Sequence, residues 1–219
     1  ELNTSRFVVN SDIDMSVISS FEPIGGTLAP FSGKLNGNGH KISGLKIDGT
    51  SKSGLFASLA NAEISNLVIS GAEVKTKGLY SAVLAGQIVG NTKLNNIAGS
   101  DSKVFADGIY SGIIAGSADS GNLTATDINV IGSTVISKAN YVGAFAGHVN
   151  CGGSVSDIYI EKITLGGAEY VGGVIGLAEG TFSVKNATVA DARLKGVSEI
   201  SGIAAGKGEV SLTDVKVIG

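Results

Sequence analysis

The segment Tyr80-Ser81-Ala82-Val83-Leu84-Ala85-Gly86 matters most because it comes back. It returns as Tyr110-Ser111-Gly112-Ile113-Ile114-Ala115-Gly116, as Tyr141-Val142-Gly143-Ala144-Phe145-Ala146-Gly147 and as Tyr170-Val171-Gly172-Gly173-Val174-Ile175-Gly176. A last copy, Ile200-Ser201-Gly202-Ile203-Ala204-Ala205-Gly206, replaces Tyr by Ile, and Ser53-Gly54-Leu55-Phe56-Ala57-Ser58-Leu59 reads as a degenerate earlier one. From Tyr80 onward the copies start 30, 31, 29 and 30 residues apart. Self-similarity at such a period marks a repeat architecture, in which each unit buries its apolar face only by stacking on the next.

A second ladder keeps the same step. Asn66, Asn96, Asp127, Asp157, Asn186 and Asp214 each precede an apolar or β-rich segment, such as Leu67-Val68-Ile69 or Ile128-Asn129-Val130. Around both ladders the segments are short, rich in Val, Ile and Thr, and broken by Gly, Ser, Asn and Asp. Ser156-Asp157-Ile158-Tyr159-Ile160-Glu161 shows the pattern. That is strand-and-turn chemistry, without the 3.6-residue stripes and caps of helical repeats. The L-x-x-L-x-L signature of leucine-rich repeats does not recur.

The fold class predicted is therefore all-β, a parallel β-helix of about six or seven coils stacked roughly 4.8 Å apart. Three short strands per coil account for its length, and the preference of parallel crossovers sets a right-handed winding. Residues 1–48 are expected to form an N-terminal cap and first coil. Residues 49–219 are expected to continue as stacked coils in the same domain. Stacked Asn and Asp side chains are expected to bond turn amides. Asp127 above Asp157 is tolerable only if solvated or bonded to backbone N–H groups.

Composition agrees and narrows the function. The chain has 33 Gly among 219 residues, 2 Pro, no Trp and 16% charged residues, against 43% hydrophobic ones. A charge of −3, with Lys and Arg spread thinly along the chain, offers no basic stripe and so no nucleic-acid interface. No apolar run approaches the length of a membrane-spanning helix. The opening Glu1-Leu2-Asn3-Thr4-Ser5-Arg6 lacks a secretory apolar region and reads as the start of a mature chain. Cys151 is the only cysteine, which excludes an internal disulfide, and its expected role is a small, partly buried side chain.

The N-terminal part adds a resemblance. Phe21-Glu22-Pro23-Ile24-Gly25 is followed by Phe31-Ser32-Gly33-Lys34-Leu35-Asn36-Gly37-Asn38-Gly39-His40-Lys41-Ile42. This resembles the GLUG-repeat family, whose pattern is an aromatic-x-Pro-Ile-Gly turn and then F-S-G-x-L-x-G-N-G-H-x-I. Gly54-Leu55-Phe56 and the Tyr-Val-Gly-Gly copies extend the likeness over nearly the whole chain. Phe21 stands where the family often has Trp, and Ser81-Ala82 and Ser111-Gly112 have drifted. The resemblance implies a β-solenoid in a large secreted or surface-anchored bacterial protein, either an adhesin or the non-catalytic part of an IgA-specific metallopeptidase. It names no ligand.

Catalytic and metal chemistry finds little support. His40 and His148 are the only histidines, and no H-E-x-x-H occurs. His40 is expected to serve the turn motif, and His148, following repeat Gly147, to lie at a solvated edge. Asp119, Glu161, Glu169, Glu179, Asp191, Glu199 and Glu209 are scattered, and no pair can be set opposite another as glycan cleavage requires. They are expected on a solvated face. A lone ion at Asp12 and Asp14 is a minor alternative to an exposed strand edge, and no cofactor is implied. Tyr80, Tyr110, Tyr141 and Tyr170 are the candidate ligand-binding residues. Their faces either grip a sugar chain or protein segment, or pack on one another and seal the coil edge.

The function expected is adhesion, or rigid presentation, by an extracellular or cell-surface module without catalytic apparatus, with a host protein or glycan as partner. The alternatives are a non-catalytic fragment of an IgA-cleaving metallopeptidase and a carbohydrate-active β-helix enzyme. The final Val215-Lys216-Val217-Ile218-Gly219 shows no polar cap, so a further domain or partner is expected to pack there.

Overall fold

The computed structural model describes residues 4–219; Glu1, Leu2 and Asn3 of the opening segment lie outside the described residues. Between Thr4 and Gly219 the chain is all strand and turn, wound into a parallel β-solenoid of about seven coils. Among the described residues no helix is long and apolar enough to cross a membrane. Four faces run along the axis, one more than the three strands per coil expected.

The long face stacks Arg6–Val8, Lys34–Asn36, Glu63–Ser70, Thr92–Ser100, Asn122–Ile131, Gly152–Glu161, Phe182–Ala190 and Val210–Ile218. The second face carries Lys46–Gly49, Glu73–Thr76, Lys103–Ala106, Thr134–Ser137, Thr164–Gly166 and Arg193–Lys195. The third holds the short strands Tyr80–Ser81, Tyr110–Ser111, Val142–Gly143, Glu169–Gly172 and Ser198–Ser201. The fourth stacks Phe56–Ala60, Ala85–Val89, Ala115–Ala118, Ala146–Val149, Ile175–Ala178 and Ala204–Gly206.

The long face explains the Asn/Asp ladder. Leu94 and Ile97 both point inward, as do Ala125 and Ile128, Val155 and Ile158, and Val184 and Ala187. A regular strand sends residues three apart to opposite sides. The residue just before the second member of each pair resets the alternation by adopting a left-handed backbone. Asn66, Asn96, Asp127, Asp157, Asn186 and Asp214 all have φ between 48° and 56°. Asn and Asp tolerate that region better than other residues with side chains, which is why the ladder uses them. Their side chains pair along the stack rather than capping turn amides as expected. Asn66 Nδ2 donates to Asn36 Oδ1 at 3.0 Å, Asn96 Nδ2 to Asn66 Oδ1 at 3.0 Å and Asn186 Nδ2 to Asp157 Oδ1 at 2.6 Å. Asp127 and Asp157 are exposed, so their like charges stay in water.

The repeat glycines have another cause. At Gly147 a Cβ would sit 2.3 Å from Tyr141 O and 2.4 Å from Ser111 N; at Gly176 it would sit 2.5 Å from Gly147 O. The corner between the third and fourth faces is closed by backbone pressed on backbone, and a side chain there has no room.

Inward columns fill the core one residue per coil, as in Val74, Val104, Val135 and Leu165 along the second face, all fully buried. Burial fails only at the ends. Val184 and Val189 are fully buried, but their neighbours Leu212 and Val217 in the last strand are 46% and 58% exposed. At the N-terminal end an apolar hollow of about 540 Å³ opens among Phe7, Ile13, Ile24, Phe31 and Phe56. Cys151 is buried, more fully than expected, and burial pushes its thiol up to about 11.

Candidate functional site: the tyrosine strip

Stacking sets one tyrosine over the next. Tyr80 pairs with Tyr110 in register, and the pairs Ser111–Val142, Val142–Val171 and Val171–Ile200 carry the column on. Ring centroids are 5.2 Å apart for Tyr80–Tyr110 and 5.3 Å for both Tyr110–Tyr141 and Tyr141–Tyr170, with interplanar angles of 17–25°. The pairing also corrects both ends of the sequence alignment. Ser53 lies beside Ser81, so Lys52 occupies the tyrosine position of the preceding coil. Ile200 lies beside Val171, so Glu199, not Ile200, follows Tyr170. Tyr141, Tyr170 and Glu199 share a left-handed backbone with φ of 60°, 57° and 54°. For a bulky side chain that is uncommon and persists only where the surroundings fix it.

The stack is closed at both ends by ammonium groups. Lys52 Nζ lies 5.7 Å from the Tyr80 centroid, and Lys207 Nζ lies 4.7 Å from that of Tyr170. The ring faces are thus covered by each other and by lysine. The four rings are half-buried, so part of each stays in contact with solvent.

Beside the rings runs a polar row from the fourth face, where Gln87, Ser117 and His148 are in register. His148 is not at a solvated edge. Its side chain is 7% exposed, and its ring lies 5.1 Å from Tyr110 and 5.7 Å from Tyr141. His148 Nε2 meets Glu179 Oε2 at 2.9 Å. On the other side its Nδ1 lies 3.4 Å from Ser117 Oγ and 3.7 Å from Asp119 Oδ1. Ser117 spends its hydrogen on Asp119, and Gln87 Nε2 donates to the other Asp119 oxygen while its own carbonyl accepts from Lys52. Both imidazole nitrogens therefore face acceptors, which suits the doubly protonated ring.

Electrostatics follow that geometry. Burial pushes the His148 pKa down, but hydrogen bonds to Asp119 and Glu179 and their charge outweigh it and hold it above the ordinary imidazole value. Burial likewise raises Asp119, yet hydrogen bonds from His148, Ser117 and Gln87 prevail and hold its carboxyl below the usual range. Desolvation, with Asp119 nearby, raises the phenols of Tyr80 and Tyr110.

Asp119 and Glu179 were expected on a solvated face with no opposing partner, and the solenoid sets them either side of one histidine. The three lie on successive coils, but His148 is in register with Ser117 and Leu177, so Asp119 and Glu179 sit two residues out of its column and spacing alone does not align them. The other acids stay apart from this cluster. Elsewhere His40 Nδ1 lies 3.2 Å from Asp12 Oδ1, 28 residues away in the chain. Asp12 also accepts the Lys41 amide at 3.0 Å and Asp14 the Ser16 amide at 2.9 Å, so these carboxylates cap backbone. Among the described residues no group of His, Cys, Asp and Glu is arranged to hold a metal ion.

No protein-family model, no curated protein and no solved structure matches this chain.

Proposed function

We propose that the chain is a non-catalytic solenoid module of a secreted or surface-held protein, which presents its tyrosine strip to an elongated partner such as a host protein segment or a glycan. One observation carries this reading. The column from Lys52 through the four tyrosines to Glu199 repeats one functional position per coil along the axis. With the ring faces covered, recognition falls to the phenol hydroxyls and the exposed parts of the rings, and the buried row beneath holds the rings in place. The GLUG-like N-terminal motif supports the extracellular setting.

A carbohydrate-active enzyme is the weaker alternative. Cleavage by a carboxyl pair needs one acid kept protonated by a raised pKa. Asp119 is shifted the other way, and Glu179 is engaged by the same histidine.

The test is a glycan array and a host-protein array probed with the wild type and with Tyr110→Phe/Tyr141→Phe. This pair keeps the stack and removes two hydroxyls. Loss of a wild-type signal at unchanged melting temperature supports strip recognition. A signal that survives both changes moves binding elsewhere, and uniform silence of the wild type leaves a spacer.

A further inference from the structure

Lysines that look thinly spread along the chain gather when it coils. The strands of the second face carry Lys46, Lys75, Lys103, Arg193 and Lys195 against only Asp48 and Glu73, in a chain whose net charge is −3. Lys77 adds to them just beyond its strand. Two of the cations near its centre are already paired: Lys75 with Glu73 at 2.5 Å and Lys138 with Asp107 at 2.7 Å. Among the described residues no carboxylate lies within ion-pair distance of Lys77, Lys103, Arg193 or Lys195.

The middle of the same face is apolar. Phe105 and Ile136 are neighbours in register and point outward, 39% and 38% exposed. They line a hollow of about 390 Å³ whose rim carries Lys75, Lys77 and Lys138 against Asp48 and Asp107. The solvated column otherwise holds Asp48, Lys75, Gly166 and Lys195; Ile136 leans over Gly166, and Phe105 is left as a large ring facing water.

We infer that this face docks an acidic peptide segment bearing one large apolar side chain. The apolar group seats in the hollow over Phe105 and Ile136, and its flanking carboxylates meet Lys77 one coil before Phe105, Lys103 on the Phe105 strand itself, and Arg193 and Lys195 two coils beyond Ile136. Six strands at about 4.8 Å span roughly 24 Å, the reach of about seven extended residues laid along the axis. A regular polyanion is a poorer match. Asp48, Glu73 and Asp107 interrupt the positive field, and a phosphate or sulfate over Phe105 gives up solvation for nothing. The partner chemistry differs from that of the tyrosine strip, so this inference does not depend on the proposed function.

The chain has no Trp, so a peptide carrying one reports its own burial. The probe is a blocked peptide of about nine residues, Glu and Ser around a central Trp, titrated at low salt and followed by Trp fluorescence. Saturable binding with a blue shift is expected. Lys77→Gln/Lys103→Gln and Phe105→Ser should each weaken it by about tenfold or more, with unchanged melting temperature, and rising salt should weaken it further. Three results overturn the inference: no binding at millimolar peptide, equal binding by both variants, or equal binding of a Trp-free acidic peptide. Heparin or single-stranded DNA competing at lower concentration than the peptide would replace the anchored segment with a plain polyanion.

Discussion

The long face and the tyrosine face hold their register by opposite means. On the long face, strands of eight to ten residues share continuous ladders, and each inward residue meets one neighbour above and one below. On the tyrosine face some strands are only two residues long. Ladder bonds are few there, and position is fixed by glycine backbones in contact and by a stack of rings. A solenoid can therefore make one side tolerant and the other exacting. The exacting side is where the buried His148 cluster has been placed.

The largest expected effect breaks that exacting corner. Gly147→Ala should cost about 3 kcal/mol or more, because its Cβ meets backbone atoms that cannot move alone. Gly99→Ala on the long face closely meets a single side-chain carbon, Ile113 Cγ2 at 2.6 Å, rather than backbone, so a small shift of that side chain relieves it and the change should cost about 1–2 kcal/mol. Urea melts of both variants check the contrast. Equal losses would remove the distinction between the faces.

Next comes the stack. Tyr110→Ala removes a ring packed against Tyr80, Tyr141 and His148 and should cost about 2–3 kcal/mol. Tyr110→Phe keeps the ring and should cost under about 0.5 kcal/mol. Comparable losses in the two variants would move the stabilisation from ring stacking to the hydroxyl.

Much of this architecture was legible in the sequence, for a definite reason. In a solenoid the contacts that matter lie one period apart, so the ladders from Tyr80 and Asn66 announce stacking before any coordinates. Two things escaped. The separate tyrosine face escaped because a two-residue strand such as Tyr80–Ser81 has too few residues to show alternation. The His148 cluster escaped because its members share no column: His148 is in register with Ser117 and Leu177, and Asp119 and Glu179 each stand two residues past those partners. A ladder of like residues is easier to see than a contact between neighbouring columns.

The cluster yields a smaller, pH-dependent effect. His148 titrates higher in the folded chain, so its contribution is complete below the ordinary imidazole value and fades as pH rises through the folded one. Asp119 titrates lower, so its contribution is complete above the ordinary carboxylate value and fades as pH falls through the folded one. The cluster should therefore stabilise most in mildly acidic solution. At about pH 6, His148→Gln should lower the melting temperature by about 4 °C, with the gap narrowing toward alkaline pH. A gap that widens with pH would mean that the ring is neutral in the fold.

The smallest effect sharpens the long face. Asp127→Asn keeps a residue suited to the left-handed backbone and offers an amide to Asp157, as Asn186 already does from the other side. A gain of a few tenths of a kcal/mol is expected, about 0.3, because both carboxylates are exposed. Melts at low and high salt check it, since screening should shrink the gain.

The central claim is that residues one period apart are direct neighbours, and a cross-link tests it most simply. Thr124 and Ser154 face each other on adjacent long-face strands, whereas Ser183 lies one coil further on. In a Cys151→Ala background, the pair Thr124→Cys/Ser154→Cys should form an intramolecular disulfide under mild oxidation, while Thr124→Cys/Ser183→Cys should not. Failure of the first pair, or equal efficiency of the second, would contradict the stacked coil.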